Sequence, residues 1–384
     1  MDLHFNHPTQ IHVLRPSRDT PAADLVAIGG EQSVEVIQVS DTACRLLATF
    51  HIGTRITALA WSSRSVSPST SDDWLIELAA ASADFGLHLL TKSPRELEDI
   101  YPFGGGLSGH HGTVNDMVFC SGWDEDPARY VATVSEDKML MVWDLYPTID
   151  IPSVNHSPTP GADLGMSPFP SSRSQPTAYV IAFPHPLTTI RAHPATSKEF
   201  LVTDCRGSVF LTDWRSDPDE ADSEGVLRHS NLIELIEPSA LSTACMGATK
   251  QWSASIDWRV DTIDMQGLSR VGGVYGNKFA IWDISKLRGG LPDKTGNSFV
   301  EGGRLFRWCQ THPEYFAISS QSPNKGAVLH VHNSNYIQAS PTPFTLRPKP
   351  HFIRDFDFLV LSGIPRIAAA VGRTAIIFRI GEDT

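Results

Sequence analysis

His110 and Asp137 are the residues in this chain whose types could carry acid/base chemistry, an imidazole to take a proton and a carboxylate to orient it. Other reactive types stand elsewhere. His110, His111, His185 and His193 could ligate a metal, yet no carboxylate or second histidine stands at the i, i+4 helical spacing that zinc signatures use. Gly104-Gly105-Gly106 has part of the look of a phosphate-gripping loop, but no Gly-Lys-Ser/Thr follows and no strand-to-helix junction is evident, so the run reads as a flexible turn. Ser62-Ser63 and Ser319-Ser320 lack the sharp turn that presents a nucleophilic serine. No residue is therefore assigned a catalytic, cofactor-binding or metal-binding role. The chain is expected not to be an enzyme.

The His–Asp pair has a structural explanation in the elements around it. His110 stands thirty-three residues ahead of Trp143-Asp144, with Ser135-Glu136-Asp137 between them, which is the signature of one WD-type propeller blade. Val114, Met117 and Phe119 alternate in a strand; Tyr130–Val134 is the next strand, Ser135–Lys138 a tight turn, and Met139–Trp143 a third strand. In such a blade the His110 ring reaches Asp137 on one side and Thr133 or Ser135 on the other, and through that hydroxyl the Trp143 indole N–H. This relay satisfies buried polar groups and ties the layers of the sheet together.

A four-stranded blade cannot bury both faces alone, so one blade predicts others. Gln10–Leu14, Leu25–Gly30, Val34–Val39 and Arg45–Phe50 read as a first unit. His51-Ile52-Gly53 opens a second, with Arg55–Trp61, Leu75–Ala81 and Gly86–Leu90, and Ser82-Ala83-Asp84 standing where Ser135-Glu136-Asp137 stands in the third. Tyr179–Phe183, Leu187–His193, Phe200–Asp204 and Ser208–Trp214 form a fourth. Ser253–Trp258, Val260–Met265, Ser269–Gly273 and Phe279–Asp283 form a fifth. Arg304–Cys309, Tyr315–Ser320 and Ala327–Asn333 suggest a sixth, and His351–Phe358, Pro365–Val371 and Thr374–Ile380 a seventh. Seven is the count, with six or eight still open. The expected fold is an all-β, seven-bladed WD40 β-propeller. Because a bare sheet edge is a liability, Leu3–Asn6 is expected to close the ring as the outermost strand of the last blade.

At 384 residues the chain is absorbed by one such ring, so residues 1–384 are read as a single domain. Pro147–Thr177, rich in proline and serine, is read as an insertion between blades three and four. A net charge of -12 argues against general nucleic-acid binding. No run of about 18 apolar residues is present to cross a bilayer. Met1–Asn6 lack the basic and apolar regions of a secretory signal, and the five scattered cysteines form no Cys-x-x-Cys pair, so a nuclear or cytosolic protein with reduced thiols is expected. Tyr101, Phe103, Trp123 and Tyr146 are aromatic groups expected in exposed loops, and stand as candidate partner-binding anchors.

Phe50-His51-Ile52-Gly53-Thr54-Arg55-Ile56-Thr57-Ala58-Leu59-Ala60-Trp61-Ser62 resembles the segment that opens the second blade of the small WD-repeat nucleoporins of the nuclear pore's outer-ring Y complex. Gly109-His110 through Trp143-Asp144, Gly272–Ile284 and Leu305-Phe306-Arg307-Trp308 match the same family in order. The resemblance implies a structural subunit at the nuclear envelope, docking on the large propeller-plus-helical nucleoporin of a Y-complex arm. It also implies contact with the chromatin-linked pore protein, and a role in pore assembly and nucleocytoplasmic transport of mRNA and protein. The alternative is a WD40 substrate receptor of a cullin ubiquitin ligase. Such receptors often end a blade in Trp-Asp-x-Arg, whereas the tetrapeptides here are Trp143-Asp144-Leu145-Tyr146 and Trp282-Asp283-Ile284-Ser285.

Overall fold

A computed structural model describes residues 2–122, 128–147, 175–214, 232–235, 255–260, 270–286 and 289–381. Its described strands form seven four-stranded antiparallel sheets. After a short first strand β1 (Leu3–Asn6), blade one holds β2 (Val13–Pro16), β3 (Leu25–Gly29), β4 (Ser33–Val39) and β5 (Cys44–His51). Blade two holds β6 (Ile56–Trp61), β7 (Ile76–Ser82), β8 (Leu87–Ser93) and β9 (Glu96–Phe103), and blade three β10 (Val114–Phe119), β11 (Tyr130–Ser135), β12 (Met139–Asp144) and β13 (Thr177–Ala182). Blade four comprises β14 (Leu187–Ala192), β15 (Glu199–Asp204), β16 (Val209–Asp213) and β17 (Leu232–Leu235). Blade five comprises β18 (Ser255–Trp258), β19 (Arg270–Tyr275), β20 (Lys278–Asp283) and β21 (Lys294–Asn297). Blade six runs through β22 (Gly303–Trp308), β23 (Tyr315–Ser320), β24 (Ala327–Asn333) and β25 (Thr342–Arg347). Blade seven has β26 (Ile353–Leu359), β27 (Arg366–Val371) and β28 (Thr374–Arg379).

The seventh sheet is completed by β1, which pairs with β28 in the register Leu3↔Ile377 to Asn6↔Thr374. The ring therefore closes as the sequence reading expects. The physical reason is edge protection: β28 would otherwise offer a free row of backbone groups, and Leu3 and Phe5 also cover apolar side chains beneath them.

The core is divided among the blade interfaces. Among the described residues, seven apolar clusters each join two adjoining blades, from blades one and two (Val34, Phe50, Ile56, Leu78) round to blades seven and one (Ala368, Ile377, Ile11, Val26). Burying one large side chain such as Trp143, Trp282 or Trp308 contributes about 1.5–3 kcal/mol, and here that gain exists only when a neighbouring blade is present. At the interface of blades five and six the approach is so close that a Cβ on Gly272 would sit 2.4 Å from the Phe306 ring. The glycine is what lets β19 lie on those rings.

The outermost strands of blades two to six differ from the sequence reading: β9, β17, β21 and β25 stand where it places no strand, and it gives β13 to another blade. Thr177–Ala182 pairs with β12 of blade three, so Tyr179–Phe183 is not part of blade four. The Pro/Ser-rich stretch accordingly enters between the third and fourth strands of blade three rather than between two blades, and residues 148–174 of it lie outside the described residues. Lys294–Asn297, not among the strands expected for the fifth unit, is the outermost strand of blade five, while most of the strand expected at Val260–Met265 lies outside the described residues.

Candidate functional site

The relay of blade three is assembled by the turn that joins β11 to β12. Lys138 takes φ 72 there, and Asp137 receives the backbone N–H of His111 at 2.9 Å and of Met139 at 3.0 Å. His110 Nδ1 lies 2.9 Å from Asp137 Oδ2, His110 Nε2 lies 2.8 Å from Thr133 Oγ1, and Trp143 Nε1–H donates to the same hydroxyl at 3.0 Å. With the ring neutral, protons run one way: indole to hydroxyl, hydroxyl to Nε2, Nδ1–H to carboxylate. Burial lowers the His110 pKa against the pull of Asp137, and the three donors around Asp137 hold its carboxyl below the ordinary range although burial opposes them. Both ring nitrogens are committed within the blade. The glycine run beside it serves packing as well: Gly104 has φ 61, and a Cβ there would come within 2.9 Å of Leu87 and of the Trp143 ring.

Sequence reasoning missed the polar cluster at the centre of the ring. The innermost strands β2, β10, β14, β18, β22 and β26 each bring one or two charges onto the axis: Arg15, Asp116, Arg191, Asp257, Arg307, and Asp355 with Asp357, joined by Arg18 just beyond β2. Arg18 grips Asp257 with both terminal nitrogens at 3.0 Å and reaches Asp357 at 3.0 Å. Asp116 takes Arg191 at 2.6 Å and Arg15 at 3.1 Å, Arg15 also pairs with Asp355, and Arg307 lies 3.6 Å from Asp355 and 3.9 Å from Asp357. The carboxylates also stitch blades together through the backbone. Leu14 N–H of blade one donates to Asp355 at 2.9 Å, Ile190 N–H of blade four to Asp116 at 3.2 Å, and Trp308 N–H of blade six to Asp257 at 2.9 Å.

Four arginines and four aspartates balance here, which is how charges survive away from water. Burial works to raise the Asp116 and Asp357 carboxyls, but the surrounding arginines outweigh it and hold both below the ordinary range. Burial likewise opposes charge on Arg15 and Arg18, whose aspartates nonetheless raise them above the ordinary guanidinium value. Arg307 is the exception: burial, then repulsion from Arg191 and Arg15, pushes it down to about 10. A cavity of about 670 Å³ lined by Arg15, Asp116, Arg304, Arg307, Arg354 and Asp355 shares Arg15 with one of about 410 Å³ lined by Arg18, Trp61, Arg191, Trp258 and Asp357.

The aromatic residues singled out as anchors fare differently. Phe103 is 3% exposed, on β9 rather than in a loop, with its ring edge-on to Trp143 at 5.8 Å; it is a core residue. Tyr101, on the same strand, is half-buried against the same cluster. Tyr146 is half-buried and its hydroxyl accepts from Arg64 at 3.1 Å, while Trp123 lies outside the described residues. More exposed than Phe103, Tyr101 and Tyr146 is Tyr179, 57% accessible beside Val180 on β13 and leaning on Trp214 of blade four at 5.4 Å. Its alternation with apolar neighbours was legible, but its place on an outer edge was not. Among the described residues no three His, Cys, Asp or Glu side chains gather as a metal site.

No protein-family model matches the chain. The chain is 23% identical to nucleoporin Nup37 of Mus musculus over 342 residues, covering 85% of this chain and 83% of that protein. It is 24% identical to nucleoporin Nup37 of Homo sapiens over the same extent. Among solved structures, Raptor of Chaetomium thermophilum matches with a TM-score of 0.62 and 15% identity, over 99% of this chain and 29% of that one, a likeness of fold alone. Fold, repeat signature and residue-by-residue likeness agree: this chain is a WD-repeat propeller similar to the nucleoporin Nup37 over most of its length.

Proposed function

We propose that the chain is a non-enzymatic scaffold subunit of the nuclear pore's outer-ring Y complex. In this reading it resides at the nuclear envelope, docks on the large propeller-plus-helical nucleoporin of a Y-complex arm, contacts the chromatin-linked pore protein, and supports pore assembly and nucleocytoplasmic transport. The observation that carries it is the likeness to Nup37 along 85% of the chain. Two structural facts are in keeping with it. The His110–Asp137 pair, the best acid/base candidate, spends both imidazole nitrogens on the blade itself. The charges at the ring's centre bind one another and the backbone of the next blade.

The test is affinity purification of the tagged full-length chain from nuclear extract, followed by mass spectrometry. Recovery of Y-complex nucleoporins is the expected result. A cullin adaptor recovered without nucleoporins would replace this reading with the ligase one, against which Tyr146 already counts, standing where such receptors often carry arginine.

A further inference from the structure

Beside the central plug of four arginines and four aspartates, the larger cavity is lined by two further arginines that make no ion pair among the described residues. Arg304 of β22 and Arg354 of β26 both line it, and their guanidinium carbons stand 5.6 and 5.1 Å from the centroid of the Phe352 ring. Among the described residues neither has a carboxylate within ion-pair distance, and nor does Arg55 beside them, whereas Arg15, Arg18, Arg191 and Arg307 each have at least one. Burial depresses Arg304 and Arg354; attraction from Asp355 and Glu31, outside ion-pair distance, only partly offsets it, and repulsion from Arg354 and Arg55 respectively adds to it. Of the nearby carboxylates, Glu31 holds His12 at 2.7 Å and Asp355 holds Arg15 and the Leu14 N–H, while Glu136, which also lines the cavity, makes no ion pair with either arginine.

The same cavity is lined by Thr57, whose buried Oγ1 lacks a hydrogen-bond partner, and by Arg307, 1% exposed, whose Nε makes no hydrogen bond and only a long ion pair with Asp357 at 3.9 Å. A protein with a net charge of -12 has gathered, at one cavity, two arginines without an ion-pair partner, both against one aromatic ring, and a buried hydroxyl without a hydrogen bond. Arginine forks bind carboxylates in pairs of parallel hydrogen bonds. At about 670 Å³ the space is that of a ligand site rather than of a single inorganic anion.

We propose that this cavity is a docking site for an acidic peptide segment, a short run with two or more aspartates or glutamates, whose carboxylates pair with Arg304 and Arg354. Its backbone lies across the cavity, and one acidic side chain enters toward Thr57 and Arg307. The segment belongs to a partner protein. The site stands whatever assembly the chain joins, so capture of no nucleoporins leaves it untouched.

The experiment is fluorescence anisotropy of the full-length chain with a labelled hexaglutamate peptide. Binding is expected with a Kd on the order of 10–100 µM at low salt, weakening as ionic strength rises. The pair Arg304→Gln with Arg354→Gln should weaken it at least ~10-fold, whereas Arg304→Lys with Arg354→Lys, which keeps the charge and loses only the fork, should weaken it clearly less. Arg366→Gln, at a surface pair with Asp41, should leave it unchanged. Because both arginines also pack on Phe352, the lysine pair separates charge from packing: equal loss by the two double variants overturns the proposal. Hexaglutamine binding as well as hexaglutamate, or displacement of the peptide by an equal concentration of inorganic phosphate, also overturns it.

Discussion

Two buried polar networks hold this molecule, and they act at different scales. The relay of blade three joins four side chains, His110, Asp137, Thr133 and Trp143, that lie within one hairpin and the turn before it. The plug joins eight charged groups from six blades, with partners as far apart in sequence as Leu14 and Asp355. The first ties together the strands of a sheet that its neighbours must still stabilise. The second ties sheet to sheet, through aspartates on blades three, five and seven that accept backbone N–H groups of blades four, six and one. The contrast teaches that a blade and a ring are specified separately.

Breaking the plug should therefore cost more than breaking the relay. Asp257→Ala strips Arg18 of its bidentate partner and orphans the Trp308 N–H, and is expected to lower the unfolding free energy by about 3–5 kcal/mol in urea titrations. Replacing the pair together, Arg18→Met with Asp257→Leu, should recover much of that loss, since the charges are costly mainly when left alone. If the single change were nearly neutral, the plug would be decoration and the comparison would fail.

Acid should separate the two networks in time. His332, stacked on Phe316 at 5.0 Å, and His193, edge-on to Trp258 at 4.6 Å, are held down to about 4 chiefly by burial, and burial lowers His110 in the relay too. An unfolded histidine takes its proton near pH ~6.5, so between ~6.5 and 4 the unfolded chain binds more protons and stability falls as pH falls. His332 alone accounts for on the order of 2–3 kcal/mol of this. Asp116 and Asp357, held below the ordinary carboxyl range, contribute stability that is complete above pH ~4 and is lost only as pH drops through their own lower values. Urea midpoints measured against pH should show the histidine step first and the plug afterwards, and His332→Phe should flatten the first step.

Within the relay, Thr133→Val keeps the shape but removes the acceptor of the Trp143 N–H and the partner of His110, at an expected cost of about 1–3 kcal/mol. The smallest effect is expected at Tyr146→Phe, below about 1 kcal/mol, because its hydroxyl meets the half-exposed Arg64. A larger loss there, read from thermal melts, would mean that the edge of blade three depends on the surface pair as well as on the relay.

The fold was legible where burial is one-sided and local. β11 and β12, the Ser135–Lys138 turn and the closing strand Leu3–Asn6 announce themselves through alternation and fixed spacing. Most outermost strands did not. Glu96–Phe103, Thr177–Ala182, Leu232–Leu235, Lys294–Asn297 and Thr342–Arg347 are largely exposed, so no apolar rhythm marks them, and four were missed outright while Thr177–Ala182 was credited to the wrong blade. Phe103 was misplaced for the opposite reason: a glycine-rich stretch follows it, yet its ring belongs to the Trp143 cluster.

By itself the order of residues determined that sheets of four strands would form, that they would need one another, and that a His–Thr–Trp relay could be built inside one of them, because each of these depends on neighbours a few tens of residues away. Only the closed ring decided that the charges scattered over six mostly apolar strands would find opposite charges on the axis, and that Arg304 and Arg354 would be left without an ion pair. Coulomb energy depends on distance in space and on the water excluded between the charges, and neither exists until the last blade meets the first.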